Sequence, residues 1–167
     1  MTNRKDLMKV YLDTNVILPW FENIMSGKNE TPNVILFLVD HPEIEKYISS
    51  FTIAELVEHL MFKTDRIKGF MRKLDIITSF VEAFQNTIPN LSIIELEESK
   101  NGDFGILVPI PELIEYTSVI GSVSDSIQVC IAKHEDIYIV TKDDDIGKVQ
   151  SLYPKTVGMI GFAKAFQ

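Results

Sequence analysis

The sequence predicts an α/β fold, a central and mainly parallel sheet flanked by helices. Three observations predict it. Short, largely β-branched apolar runs (MKVYL at 8–12, KYISSF at 46–51, LSIIEL at 91–96, IYIVT at 137–141, TVGMI at 156–160) read as buried strands. Between them lie segments whose apolar residues recur every three or four positions, as on one face of a helix. The two kinds of segment alternate along the chain, the pattern of parallel strands joined by helical crossovers. No internal repeat, low-complexity stretch or linker interrupts it, so a single domain over residues 1–167 is expected.

Each element has its own warrant. Residues 1–7 read as a frayed tail. The first strand, 8–12, ends at Asp13. Val16, Ile17, Trp20, Phe21 and Ile24 then follow at helical spacing, with Pro19 tolerable only near the helix start. Residues 26–32 read as loop. Val34 to Val39 form a short helix stopped by His41 and Pro42. After strand 46–51, Ile53, Leu56, Val57, Leu60 and Met61 give an amphipathic helix starting near Thr52. Ile76, Ile77, Phe80, Val81 and Phe84 give another, ended by Pro89 and Asn90. Strand 91–96 leads into a polar, Gly- and Pro-containing loop from Glu97 to Pro111, with a short extended piece at GILVP. A helix over 111–120 precedes one capped by Ser124 or Asp125 and running to about His134. Strand 137–141, a helix at 145–153 and a last strand at 156–160 complete the chain.

Composition sets the outer limits. The chain has 167 residues, 46% of them apolar and 24% charged, enough to bury a sizeable core. The single cysteine, Cys130, lies in an apolar helical pattern and reads as a buried thiol rather than a reactive one. No apolar run approaches the ~18 residues of a membrane-spanning helix, and the first residues lack a signal-peptide apolar region. A soluble cytoplasmic protein is expected. The net charge of −8 is opposite to that of a typical nucleic-acid binder. Positive charge is concentrated in Lys63, Arg66, Lys68, Arg72 and Lys73, which could hold a phosphate backbone or form a solvated helix face.

Four acidic stations carry most of the functional information. Asp13 follows the first strand. Glu55 and Asp125 each open an apolar-periodic helix. Asp143 and Asp145 follow the strand IYIVT. Taken singly, each station also reads as a cap: Asp13 as an N-cap, and Thr52–Glu55, Ser122–Asp125 and Thr141–Asp144 as capping boxes. Their recurrence at strand ends and neighbouring helix starts favours convergence on one sheet edge, where ligands of α/β folds bind. Carboxylates meeting there repel one another, and hard oxygen donors select Mg²⁺ or Mn²⁺. His41, His59 and His134 have no ligand-like spacing, and there is no Gly-rich phosphate loop.

These residues carry a family resemblance. Asp-Thr-Asn at 13–15 ends the first strand. Ser-Ser-x-Thr-x-x-Glu spans 49–55. Asp125 opens a helix with Ala132 seven positions on, and apolar-Val-Thr-x-Asp-x-Asp spans 139–145. In this order, over nearly the whole chain, they resemble the PIN-domain nucleases, the family that includes toxins of VapBC-type toxin–antitoxin systems. The resemblance implies a three-layer α/β/α sandwich and metal-dependent endonuclease activity on RNA. It matches Asp13, Glu55, Asp125 and Asp143 to the acidic metal-site positions and Asp145 to a fifth, variably used one. Asn15 and Thr141 match the polar residues that brace the first and last acids. Glu58 reads as an outer contact or, more simply, a surface ion pair. A toxin would further imply an antitoxin partner, and family habit implies a homodimer.

Two other classes compete. One is a non-catalytic module of the same fold that binds RNA or protein; acids at all four stations argue against it. The other is a phosphatase of the haloacid-dehalogenase type, whose chemistry wants an Asp two residues after the first; here that position is Asn15.

Overall fold

A computed structural model of the chain describes residues 4–28, 30–63, 69–95, 109–142, 144 and 146–167. Five strands, β1 (Lys9–Leu12), β2 (Glu45–Ser49), β3 (Leu91–Ile94), β4 (Tyr138–Thr141) and β5 (Thr156–Gly158), form one sheet in the order β3-β2-β1-β4-β5. All neighbours are parallel, with Tyr11 opposite Tyr47 on one side and Ile139 on the other. The winding therefore reverses between β1 and β4. That reversal opens a crevice at the carboxyl ends of those two strands.

The strand period of two divides the core into two layers. Val10, Leu12, Ile48, Val140 and Val157 pack with α1 (Thr14–Met25), α2 (Asn33–Asp40), α3 (Ser50–Lys63), α4 (Phe70–Thr87) and α8 (Met159–Lys164). On the opposite face Tyr11 and Ile139 pack with α5 (Ile110–Ile120), α6 (Val123–His134) and α7 (Ile146–Leu152). The result is the expected α/β/α sandwich. Trp20 and Phe21, past the middle of α1, meet Phe80 of α4 edge-on at 5.8 and 4.6 Å, which packs the two helices together.

Several expectations are corrected. Residues 4–7 are not a frayed tail: Arg4–Leu7 is a 3-10 turn, and Leu7 is fully buried. Strand β2 stops at Ser49, so Ser50 and Phe51 already belong to α3. Pro19 lies inside α1, beyond its first turn, where it cannot donate to the Asn15 carbonyl. The last strand ends at Gly158, and Met159 and Ile160 begin α8, a helix the sequence reading missed. The extended piece expected at GILVP lies outside the described residues, apart from its final Pro109, which caps α5. Cys130 is buried as expected, and burial pushes its thiol up to about 11. No helix among the described residues is long and apolar enough to cross a membrane.

Candidate metal centre

Asp13 stands at the reversal point. Its backbone N–H donates to the Val140 carbonyl at 3.0 Å, continuing the β1–β4 pairing, and its side chain begins α1 by accepting from Asn15 N–H at 3.3 Å. The cap reading is thus correct, yet it uses little of the carboxylate. Thr141, at the end of β4, donates its hydroxyl to Asp13 Oδ2 at 2.6 Å, and the Asn15 side chain approaches the same oxygen at 3.5 Å. Both supporting residues expected from the sequence therefore attend the first acid. Asp13 is only 4% exposed. Burial, and then the charges of Asp125 and Glu55, push its carboxyl up to about 6 against the opposing bonds from Thr141 and Asn15.

Glu55 comes from α3. The capping box proposed for Thr52 and Glu55 is overturned: Thr52 lies inside the helix, and the reciprocal cap is made one turn earlier by Ser49. Thr52 N–H donates to Ser49 Oγ at 3.2 Å, and Ser49 N–H donates to Thr52 Oγ1 at 3.3 Å. Tyr11 closes this buried cluster, its hydroxyl 2.7 Å from Ser49 Oγ and 3.1 Å from Thr52 Oγ1. The Glu55 carboxylate is therefore free of capping duty. Its Oε2 accepts from Thr14 Oγ1 and from Gln128 Nε2, both at 2.5 Å. Burial raises its carboxyl. Hydrogen bonds from Thr14 and Ser124 oppose that, and the charges of Asp125 and exposed Glu58 add to it.

Asp125 arrives by a different device. Gly121, in the left-handed region at φ 83°, ends α5 and reverses the chain. Ser122, not Ser124 or Asp125, then caps α6, its Oγ accepting from Asp125 N–H at 3.3 Å. This sets Asp125 in the first turn of α6, partly buried. It lines one cleft with Asp13, Thr141 and Lys148 over a floor of Ile120, Val129 and Ile139.

Three of the predicted acids, Asp13, Glu55 and Asp125, are thus near enough for their charges to act on one another. Asp143 and Asp145 lie outside the described residues. Among the described residues, no three acids, histidines or cysteines stand close enough to hold a cation by themselves. The donor set is nonetheless suited to one. It is all oxygen, partly or wholly desolvated, mutually repelling, and free of sulfur and imidazole, as a hard divalent ion requires. The histidines are engaged elsewhere, with His41 beside Glu43, His59 beside Glu22 and His134 beside Glu135.

The basic stretch does not line the cleft where it is described. Arg72 borders an apolar groove with Ile24, Met25 and Phe80. Lys73 Nζ donates to the Met61 carbonyl at 3.0 Å, tying α4 to the end of α3. Lys63 ends α3 eight residues beyond Glu55, about 12 Å along the axis. Arg66, Lys68 and the side chain of Lys63 lie outside the described residues. Sequence reasoning missed Lys148 and Gln128, and it gave Thr14 no role although it lies in the Asp-Thr-Asn motif. Gln128 carried a signal of its own, the one polar residue in the run Ile127–Ala132 one turn after Asp125.

The comparisons agree with this architecture. FitAB bound to an IR36 DNA fragment aligns over 90% of this chain and 94% of its own, with 16% identity and a TM-score of 0.52. FitAcB from Neisseria gonorrhoeae aligns over 89% and 95%, with 19% identity and a TM-score of 0.52. At these identities the likeness is one of fold. A toxin–antitoxin complex from Klebsiella pneumoniae is 13% identical over 90% and 97%, with a TM-score of 0.47. No curated protein matches the chain. The family model described as PIN domain matches residues 10–152, almost the whole α/β/α sandwich and every acidic station, and the chain belongs to the PIN domain family.

Proposed function

We propose that the protein is a metal-dependent endoribonuclease that hydrolyses phosphodiester bonds at the carboxyl edge of β1 and β4. One observation carries the reading. Asp13, buried at the sheet's reversal point, is pressed toward its protonated form by burial and by two other acids delivered from α3 and α6. A fold that gathers mutually repelling carboxylates around one buried acid suits an external cation. Membership of the PIN family supports the same conclusion.

Asp13 and Asp125 would hold Mg²⁺ or Mn²⁺, with Glu55 binding directly or through water and Asp143, then Asp145, completing the set. When bound, the ion supplies a more acidic water and neutralises charge on the phosphate and the leaving oxygen. The residues of the chain do the rest. Thr141 and Asn15 hold the Asp13 carboxylate in one orientation. Ile120, Val129 and Ile139 limit water on the floor of the cleft, and Lys148 on its wall meets the anionic backbone of the substrate.

The test is cleavage of a labelled single-stranded RNA in Mn²⁺ or Mg²⁺ by wild type and Asp125→Asn, matched for folding by circular dichroism. Metal-dependent cutting by wild type that the variant lacks is expected. A folded, metal-loaded wild type that cuts neither RNA nor DNA would leave a binding module of the same fold. The toxin role rests on the likeness of the four motifs to VapBC-type toxins. It predicts an antitoxin encoded beside this chain, whose co-expression blocks cleavage. Homodimerisation and a cytoplasmic location go with that role and are checked by light scattering and fractionation.

A further inference from the structure

Gln128 is 1% exposed on α6, one turn after Asp125, and all three of its described polar contacts go to other elements. Its Oε1 accepts from Thr14 N–H at 3.0 Å, and its Nε2 donates to Thr14 Oγ1 at 3.0 Å and to Glu55 Oε2. The amide has only one workable orientation. Thr14 N–H can only donate, so Oε1 must face it, and the N–H₂ end is thereby aimed at Glu55. Reversing the amide would set a carbonyl oxygen against a carboxylate and a donor against a donor. Thr14 is ordered by the same logic: its hydroxyl accepts from Gln128 and donates to Glu55. One amide thus joins the starts of α1 and α6 to α3, the three elements that carry Asp13, Asp125 and Glu55. No cap or strand pairing requires a glutamine here, and an apolar side chain would fill the same core position.

Resting on the metal-site reading above, we propose that Gln128 is a positioning residue which, with Thr14, holds one oxygen of Glu55 so that the carboxylate is set toward a divalent ion shared with Asp13 and Asp125. It touches neither ion nor substrate, and its effect passes through Glu55 alone. Outer contacts of this kind change metal affinity by roughly 10- to 100-fold when removed.

The experiment measures Mn²⁺ dissociation constants by titration calorimetry on the full chain, with thermal melts of every variant. Gln128→Met keeps the volume and removes the amide. Thr14→Val removes the second donor from another element and guards against misfolding of the first variant. Each is expected to weaken Mn²⁺ binding about tenfold in the wild-type background. In a Glu55→Gln background each is expected to change it less than twofold, because the group they position is gone. Equal losses in both backgrounds, or no loss with Glu55 intact, would overturn the assignment and leave Gln128 a packing residue. Asp13→Asn separates the two levels of argument. Binding by wild type that depends on Asp13, together with an additive cycle, keeps the metal site and rejects the role of Gln128. No Mn²⁺ binding by folded wild type rejects both.

Discussion

The two edges of the sheet each bury a charge, and the protein treats them differently. At the amino edge Lys46 is fully buried, yet its Nζ donates to the carbonyls of His41 at 2.6 Å and Pro89 at 2.9 Å. Burial pushes it down to about 8, against the opposite charge of Glu43. At the carboxyl edge Asp13 also receives hydrogen bonds, but its charged neighbours are Asp125 and Glu55, which share its sign. The first edge is closed by the fold itself, since two loops converge on one ammonium. The second is left electrostatically incomplete. Such an arrangement persists where a ligand completes it, and stability is commonly lower at functional sites for this reason.

The largest effect should fall on activity and only at the carboxyl edge. Asp13→Asn or Asp125→Asn should lower RNA cleavage on the order of 10³-fold, the scale of several kcal/mol of lost charge stabilisation. Lys46→Met should leave the cleavage rate per folded molecule within a few-fold. A gel assay at saturating Mn²⁺ separates the two, and equal losses at both edges would undo the contrast.

Stability should respond in the opposite sense. In metal-free protein, the rise of Asp13 from 3.8 to about 6 corresponds to roughly 3 kcal/mol of unfavourable ionisation at neutral pH. A raised carboxyl contributes stability that is present below its unfolded value and is lost as pH climbs through its folded value. Asp13→Asn should therefore match wild type near pH 4 and exceed it above pH 6, by about 1–3 kcal/mol in urea melts with EDTA. Lys46→Met should cost about 1–3 kcal/mol at pH 7, because it strands two partly buried carbonyls. Should Asp13→Asn destabilise at pH 7 in EDTA, the carboxyl edge would be as self-sufficient as the amino edge.

How much of this was legible in the sequence depends on the range of the interaction. Strand ends and acids adjoining them are local facts, so the α/β class, Asp13 and the helix bearing Asp125 could be read directly. The role of Glu55 was half visible. Its spacing from Thr52 imitates a capping box, but Ser49 makes the true cap because β2 ends two residues earlier than its apolar run suggests. Gln128 needed a partner 114 positions away to acquire meaning. Leu7 and α8 were missed for the same reason: a four-residue turn and a six-residue helix have little periodicity of their own and are held by packing on the sheet. The basic stretch, read as either a phosphate-binding surface or a solvated helix face, has described side chains only at Arg72 and Lys73, of which Lys73 donates to a helix carbonyl and Arg72 borders an apolar groove.

The smallest effect concerns the positive charge that the carboxyl edge does possess. Lys148 is exposed on α7, and it lines the cleft with Asp13 and Asp125. Nothing in its local sequence marks it, since a lysine on a short surface helix is ordinarily solvated. A phosphate approaching those acids would meet its ammonium on the way in, and a single exposed contact of this kind is worth about 1 kcal/mol or less. Lys148→Ala should weaken RNA binding about three- to fivefold at low salt. It should also lower the slope of log affinity against log salt by about 0.7, the value for one single-strand phosphate contact. Arg72→Ala should leave that slope unchanged, as its groove lies between α1 and α4. Fluorescence anisotropy with a catalytically dead Asp125→Asn background measures both. A slope that falls with Arg72 and not with Lys148 would move the RNA path from the acid cleft to the α1–α4 face.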